Sequence, residues 1–326
     1  MKQHYIPRCY LKRFSDNKKS IYAYDKISSK SYRAPLKSVC CADELYTISE
    51  EFVQRNNQEG ESEINSLSIE KEHFANTIEP FFAQLLSQID EIKEEWISGE
   101  DHYRLNFYEK RELALHIVTQ YMRMPHIMES TVNDYIRMEK AEMDMLKHIL
   151  TVQTGNEEFN NLDIKIEYDR PALHANLTYL DEEGLMNFAD AIANNIFVFW
   201  ISKENDYYTS DFPIVLKPHV KNVRSTFMGL AQYGGELTMP LSPGLALSVY
   251  DMEYFKEKES LDCCFLLANN AEVAHQNILR YAYAKRHVFS IKNDFSFFEF
   301  VKNNKGEHPF LAPNHKVEIE SGLGRY

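Results

Sequence analysis

The most regular hydrophobic pattern in the chain lies in residues 109–125, EKRELALHIVTQYMRMP. At 100° per residue, the apolar side chains of this stretch fill a broad sector made of Leu113, Ile117, Tyr121 and Met124, widened by Leu115, Val118 and Met122. A helix with so wide an apolar face is largely buried. The pattern therefore predicts a buried helix from Glu109 to Met124.

The narrow remaining sector of this helix is polar. It carries Glu112, His116, Gln120 and Arg123, at spacings of i, i+4, i+8 and i+11, which place them along one edge. This edge is either the solvent face of the helix or the floor of a site, and the pattern alone fits both interpretations.

Helical periodicity extends over about residues 62–153 and predicts three or four successive helices with short links. Alternating patterns flank it. Ser20 to Lys26 is expected to pair with Ser31 to Arg33 or with Leu45 to Ile48. Leu162 to Tyr168 is predicted as a strand, and Ile196 to Ser202 as a buried strand whose hairpin partner is 207–216.

These elements predict an α+β fold in which a central α-helical bundle, about 62–153, packs against a small mixed or antiparallel sheet. That sheet would be built from the N-terminal and C-terminal parts of the chain. The expected division is a basic N-terminal β-containing arm (1–60), a helical bundle (61–155) and an α+β part (156–326) that forms one compact unit with 1–60.

Charge is distributed unevenly along the 326 residues. The net charge is −13, which argues against a surface coated with non-specific nucleic-acid contacts. Residues 1–38 nevertheless carry ten Lys or Arg against Asp16 and Asp25, a balance of +8, and the rest of the chain stands at −21. This basic arm would either contact a phosphate ligand or pair with the acidic body.

The five cysteines include no C-x-x-C spacing and two vicinal pairs, which fits a reducing compartment better than a disulfide framework. No signal peptide follows Lys2, and the longest apolar run, Ile196 to Ile201, is too short to span a bilayer. A cytoplasmic protein with no membrane partner is expected.

Five short motifs occur in order along the chain: HYIPRCYLKRF at 4–14, IEPFF at 78–82, TQYMRMP at 119–125, YYTSDFP at 207–213 and MPLSPG at 239–244. Together they resemble the bacterial DUF4238 family, a domain of unknown function. The resemblance implies no reaction. It points to the positions that match the family pattern: His4, Pro7, Phe14, Glu79, Gln120, Arg123, Ser210, Asp211, Pro213, Pro240 and Leu241.

The polar members of this set, together with Arg8 and His116, define a candidate site. The candidate catalytic residues are His4, Glu79, Gln120, Arg123 and Asp211, and the candidate substrate-binding residues are Arg8, His116 and Ser210. If they converge, His4 or Asp211 would supply acid-base chemistry, Arg123, with or without Arg8, would clamp a phosphate, and Gln120 would orient the substrate.

Each of these interpretations has a structural alternative. A buried Arg123 could simply pair with Glu79 or Asp211 and join two layers of the fold. Ser-Asp two residues before a proline is also good turn chemistry, with the carboxylate capping backbone N–H groups.

Other motifs are weak. Arg111-x4-His116 matches the spacing of helical HEPN-type ribonucleases, and Glu70-x-x-His73 and Glu272-x-x-His275 match the spacing of di-metal helical bundles. About one match to each pattern is expected by chance in a chain of this composition. No zinc spacing, Walker loop or G-x-S-x-G elbow is present. No metal ligand is assigned and the cofactor is unknown, although Mg²⁺ would suit a phosphate reaction.

Two functions follow from these patterns. The first is a nuclease-like hydrolase that acts on a nucleic acid or a nucleotide phosphate. The alternative is a non-catalytic protein-binding or regulatory module that uses the Met-rich helix 128–150, with a homo-oligomer or another protein as the partner.

Overall fold

The computed structural model describes residues 1–59, 64–99, 104–203, 206–220 and 230–303, with the short strands 320–321 and 324–325. The strands are β1 Lys2–His4, β2 Ser20–Asp25, β3 Lys30–Pro35, β4 Cys41–Asp43, β5 Ile196–Ile201, β6 Thr209–Ser210, β7 Val215–Pro218, β8 Gly235–Ser242, β9 Leu245–Tyr250, β10 Cys264–Leu267, β11 His287–Ser290, β12 Glu320–Ser321 and β13 Gly324–Arg325. The α-helices are α1 Arg8–Leu11, α2 Glu50–Glu59, α3 Glu79–Ser98, α4 Phe107–Met122, α5 Pro125–Thr154, α6 Arg170–Leu177, α7 Glu182–Ala193, α8 Asn270–Tyr283 and α9 Ser296–Asn303. A π-helix, Ile69–Ile78, leads directly into α3.

The largest sheet has five strands in the order β10-β5-β9-β8-β7. All of its neighbours are antiparallel except β10 and β5, which run parallel. The central strands β5 and β9 are almost wholly buried, as the run of aromatic and β-branched residues in β5 predicts.

A second sheet of four strands, β3-β2-β11-β6, combines both parts of the chain. The hairpin of β2 and β3 confirms the pairing expected for Ser20 to Lys26 with Ser31 to Arg33. Strand β11 then pairs with β2 on one side and β6 on the other. A sheet shared by the N-terminal and C-terminal parts is therefore present, within a mixed α/β architecture.

The central helical bundle is not confirmed. Helix α4 packs most extensively against α7, which lies outside 62–153, and has only limited contact with α3 and α5. Arg111 on α4 forms an ion pair with Asp190 on α7, and Lys110 reaches Asp262 and the Asn195 carbonyl beside the five-stranded sheet. Polar partners outside the helical segment therefore help to direct α4 towards α7 and the sheet. The boundary expected near residue 60 and the link at 100–103 lie outside the described residues.

The predicted helix at Glu109 to Met124 corresponds to α4. It begins two residues earlier because Asn106 caps it: the Asn106 side chain accepts from the N–H groups of Tyr108 and Glu109, and the Glu109 carboxylate accepts from the Asn106 N–H. Leu113, Ile117 and Val118 are fully buried, as the apolar sector predicts. Arg123 is the C-cap, and α5 begins at Pro125.

Some strand predictions were wrong. Residues 207–216 do not form a hairpin with β5, since β6 pairs with β11 and β7 pairs with β8. Leu45 to Ile48 is not a strand, and Leu162 to Tyr168 forms no strand pair with the other described residues. An alternating pattern indicates an extended backbone but does not identify the partner strand.

The N-terminal arm is fixed to the rest of the fold by its own polar side chains. Tyr10 donates to the Pro240 carbonyl at 2.6 Å, and Arg13 donates to the Leu241 carbonyl at 2.6 Å and to the Asp90 carboxylate at 2.7 Å. Arg33 pairs with Asp16 inside the arm. Part of the basic charge is thus neutralised within the protein, whereas Arg8 remains exposed.

Candidate functional site

Strand β1 places His4 where the arm meets the helices. His4 is opposite Cys41 in the β1–β4 pair, and its Nε2 lies 3.2 Å from the carbonyl oxygen of Leu36. A carbonyl only accepts, so in the neutral ring Nε2 carries the proton. The lone pair that can take up a proton is therefore on Nδ1.

The charge state of His4 is set by its half-buried position. Burial lowers the pKa of the imidazole, and the positive charges of Arg8 and Arg123 lower it further. The Leu36 carbonyl and the Glu79 carboxylate act in the opposite direction but do not cancel the shift. His4 is consequently neutral at pH 7 and can act as a base.

Arg123 fixes the backbone of His4 from the end of α4. Its guanidinium donates from Nη2 to the His4 carbonyl oxygen at 2.5 Å and from Nη1 to Glu79 Oε1 at 3.2 Å. The same group lies over the Phe74 ring, 3.9 Å from its centroid, and Arg123 is only 1% exposed. The structural alternative for Arg123, an ion pair with Glu79, is therefore present.

Gln120 makes the neighbouring contact one turn earlier on α4. Its Nε2 donates to the Tyr5 carbonyl oxygen at 2.9 Å, so Arg123 and Gln120 together bind two consecutive carbonyls of the arm. The Gln120 Oε1 atom is buried without a hydrogen-bond partner among the described residues. The end of α4 thus positions the arm rather than facing solvent.

Glu70 adds a carboxyl group that the sequence interpretation did not include in the site. It lies on the π-helix, a conformation that is rare and concentrated at functional sites. Burial raises its pKa, the nearby Glu79 raises it further, and Arg123 and a hydrogen bond from the His4 backbone partly offset this. Its Oε2 is buried without a hydrogen-bond partner among the described residues. The sequence signal at this position is the Glu70-x-x-His73 spacing, which matches the spacing of a di-metal pair.

His73 lies one turn along the same helix. Its ring stacks on Tyr179 at 5.3 Å between centroids, and burial lowers its pKa to about 4. His73 Nε2 and the Tyr179 hydroxyl also have no hydrogen-bond partner among the described residues. Unpaired polar atoms therefore cluster on the inner side of the π-helix.

Two of the predicted residues, His116 and Ser210, have other roles. His116 is buried and stacked on Phe82, with ring centroids 5.0 Å apart. Ser210 donates to the Phe212 carbonyl at 2.7 Å and accepts from its N–H. Neither contact involves His4 or Arg123.

Asp211 caps a turn. Its Oδ1 accepts from the N–H of Lys285 at 2.8 Å, and its Oδ2 accepts from the N–H groups of Arg286 and His287 at 2.7 and 2.8 Å. The capping role that was the alternative for Asp211 is thus present. Its negative charge contributes to the raised pKa of Tyr5, but both of its oxygens are already used.

The structure accordingly groups His4, Glu79, Gln120 and Arg123, adds Glu70, and places Arg8 at the surface beside them. Among the described residues, no three His, Cys, Asp or Glu side chains are arranged to hold a metal ion. Within the same residues, every helix is too short or too polar to cross a membrane.

Comparison with known proteins gives a family but no function. No curated protein and no solved structure matches the chain. A family model described as a protein of unknown function, DUF4238, matches residues 2–294, which is most of the chain. The chain therefore belongs to the DUF4238 family.

Proposed function

We propose that this protein is a hydrolase of phosphate esters in a nucleic acid or nucleotide, with His4 as its general base. The observation that carries the proposal is the way His4 is held. Its carbonyl accepts from Arg123 and its ring Nε2 lies 3.2 Å from the Leu36 carbonyl oxygen, so Nδ1 is left for chemistry. A base fixed at two points is preorganised for proton transfer.

The neighbouring groups suit a phosphate. Arg8 is exposed on α1 and close enough to His4 to lower its pKa, so it supplies a cation at the surface beside the base. A guanidinium matches the geometry of phosphate oxygens. Arg123, by contrast, is buried and already engaged with Glu79 and the His4 carbonyl, so its role is to position the base.

Glu70 completes an acid-base pair. Its raised pKa favours the protonated carboxyl, whereas the lowered pKa of His4 favours the neutral imidazole. In the proposed reaction, His4 Nδ1 removes a proton from the attacking water as its oxygen bonds to phosphorus. Glu70 gives its proton to the ester oxygen as the P–O bond breaks, and proton exchange with solvent restores both groups.

The test is cleavage of end-labelled single-stranded and duplex RNA and DNA, with and without Mg²⁺ or Mn²⁺. His4→Ala is expected to lower the rate by a factor of about 100 or more. The variant should fold, because Arg123 contacts the backbone carbonyl of residue 4 and not its side chain. His148→Ala, an exposed histidine on α5, is the matched control and should cleave like the wild type.

Arg8→Ala tests the phosphate contact separately. It should raise KM and weaken the salt dependence of binding, and Arg104→Ala, at another exposed arginine, should not. The proposal fails if the wild type cleaves none of the four substrates under any metal condition. It also fails if His4→Ala retains full activity.

A further inference from the structure

One surface segment pairs with no strand among the described residues. Residues 162–168, LDIKIEY, alternate apolar and charged side chains as a strand does. Among the described residues, nothing hydrogen-bonds to the backbone of residues 163–167. Leu162, Ile164 and Ile166 are 48%, 43% and 40% exposed, so an unpaired edge and an apolar face occur together. Such edges are templates for strand pairing with another chain.

The segment runs beside α5. A short turn, Glu157–Asn161, packs on the end of this helix. At the other end of the segment, the Tyr168 ring meets Tyr135 edge-on at 6.4 Å, and Arg170 donates to Asn133 at 2.8 Å. Over the same length α5 exposes large apolar side chains: Met138, Met145, Leu146, Ile149 and Val152. Exposed apolar residues gathered in this way indicate an interaction surface.

We propose that this surface binds a second copy of the same chain, with the two segments paired antiparallel about a two-fold axis at Ile164. The charges favour this occupant. Asp163 and Lys165 are each 82% exposed and lie on one face, 4.0 Å apart. Two-fold pairing at Ile164 sets Asp163 opposite Lys165 of the second copy, twice, and sets Leu162 opposite Ile166 on the apolar face.

Other registers lack this complementarity. An axis at Lys165 would place Lys165 opposite itself and Asp163 opposite Glu167. Parallel pairing in register would set Asp163 opposite Asp163. Like charges directly opposite one another destabilise a strand pair, whereas opposite charges stabilise it. The sequence of the segment is thus complementary to itself in one antiparallel register.

The first measurement is the mass of the full-length protein by sedimentation equilibrium over a range of concentrations. The wild type is expected to dimerise, and Ile164→Lys should abolish the dimer by placing two ammonium groups on the axis. Ile97→Lys is the matched control, because Ile97 is 42% exposed on α3 against 43% for Ile164. A wild type that stays monomeric, or a dimer that Ile164→Lys does not weaken more than Ile97→Lys, overturns the proposal.

A charge exchange tests the register. Asp163→Lys and Lys165→Asp should each raise the dimer Kd by about tenfold, because each turns two attractive pairs into repulsive ones. The double exchange should restore the wild-type Kd. Failure of the double variant to recover would rule out the antiparallel register at Ile164. These measurements require no enzymatic activity, so their outcome is independent of the proposed hydrolase.

Discussion

Lys110 on α4 and Asp262, which precedes β10, form an ion pair of 2.9 Å at the edge of the five-stranded sheet. The ammonium group also donates to the Asn195 carbonyl at 2.7 Å, and Asp262 accepts from the Phe197 N–H at 2.8 Å. Three segments of the chain therefore meet at one charge pair, which explains why a helix with so apolar a sequence carries a buried lysine.

Removal of this lysine should destabilise the protein strongly. Lys110→Met leaves the Asp262 carboxylate without its cation and the Asn195 carbonyl without its donor. We expect a loss of about 2 to 3 kcal/mol in the free energy of unfolding, measured by urea denaturation. Lys140→Met, at an exposed lysine of α5, should change it by less than about 0.5 kcal/mol. Equal effects of the two substitutions would show that the pair contributes little.

The pKa of His4 should respond to Arg8. The positive charge of Arg8 lowers this pKa, so Arg8→Ala should raise it, since protonation of the imidazole then meets less repulsion. An NMR titration of the histidine ring protons would measure the shift, with Arg104→Ala as the control. An unchanged His4 pKa in Arg8→Ala would show that the charge of Arg8 does not act on His4.

Buried histidines should make the protein sensitive to acid. Burial lowers the pKa of His116 to about 4, against an ordinary value of 6.5 in the unfolded chain. The unfolded state therefore binds more protons below pH 6.5, so stability is complete above that pH and falls between pH 6.5 and 4, by up to about 3 kcal/mol for this group.

A substitution isolates this contribution. His116→Phe keeps the ring stack on Phe82 but removes the titration, so the fall in urea midpoint between pH 6.5 and 4 should become shallower. It should not vanish, because burial also lowers the pKa values of His73, His126 and His174. His148→Phe, at an exposed histidine of α5, is the control, and a similar slope in both variants would contradict the assignment.

Asp211→Asn should affect stability more than chemistry. The amide keeps only one acceptor oxygen for three backbone N–H donors, and its NH₂ group faces the donors that the lost oxygen had bound. We expect a loss of about 2 kcal/mol in the free energy of unfolding. Asp144→Asn, whose side chain is 76% exposed, is the control. A fully stable Asp211→Asn variant that had lost cleavage would instead return Asp211 to the catalytic set.

The sequence predicted α4 well because the information that defines it is local. Its apolar spacing lies within the helix, and Pro125 follows shortly after its last residue. The cap at Asn106 sets the residue at which the helix begins. The partners of α4 could not be predicted this way. Asp190 and Asp262 lie 79 and 152 residues from the arginine and lysine they bind, and nothing in the local pattern links them.

The candidate site was also predicted only in part, because some of its features depend on contacts between distant segments of the chain. The family motifs marked His4, Glu79, Gln120 and Arg123, and the structure brings these four together. Glu70 was missed because its importance depends on the π-helix, whose i to i+5 bonding leaves no sequence signature. The capping of residues 285–287 by Asp211 likewise depends on contacts between distant segments.

The sheet that joins β2 to β11 also governs how the protein can be made. Asp25 and Arg286, which flank this pairing, are 261 residues apart. At ordinary translation speeds, the N-terminal hairpin leaves the ribosome on the order of 10 to 50 s before the strand that covers its edge. During that interval the β2 edge is open to wrong partners, so production of the native protein should depend on chaperones that shield nascent strands.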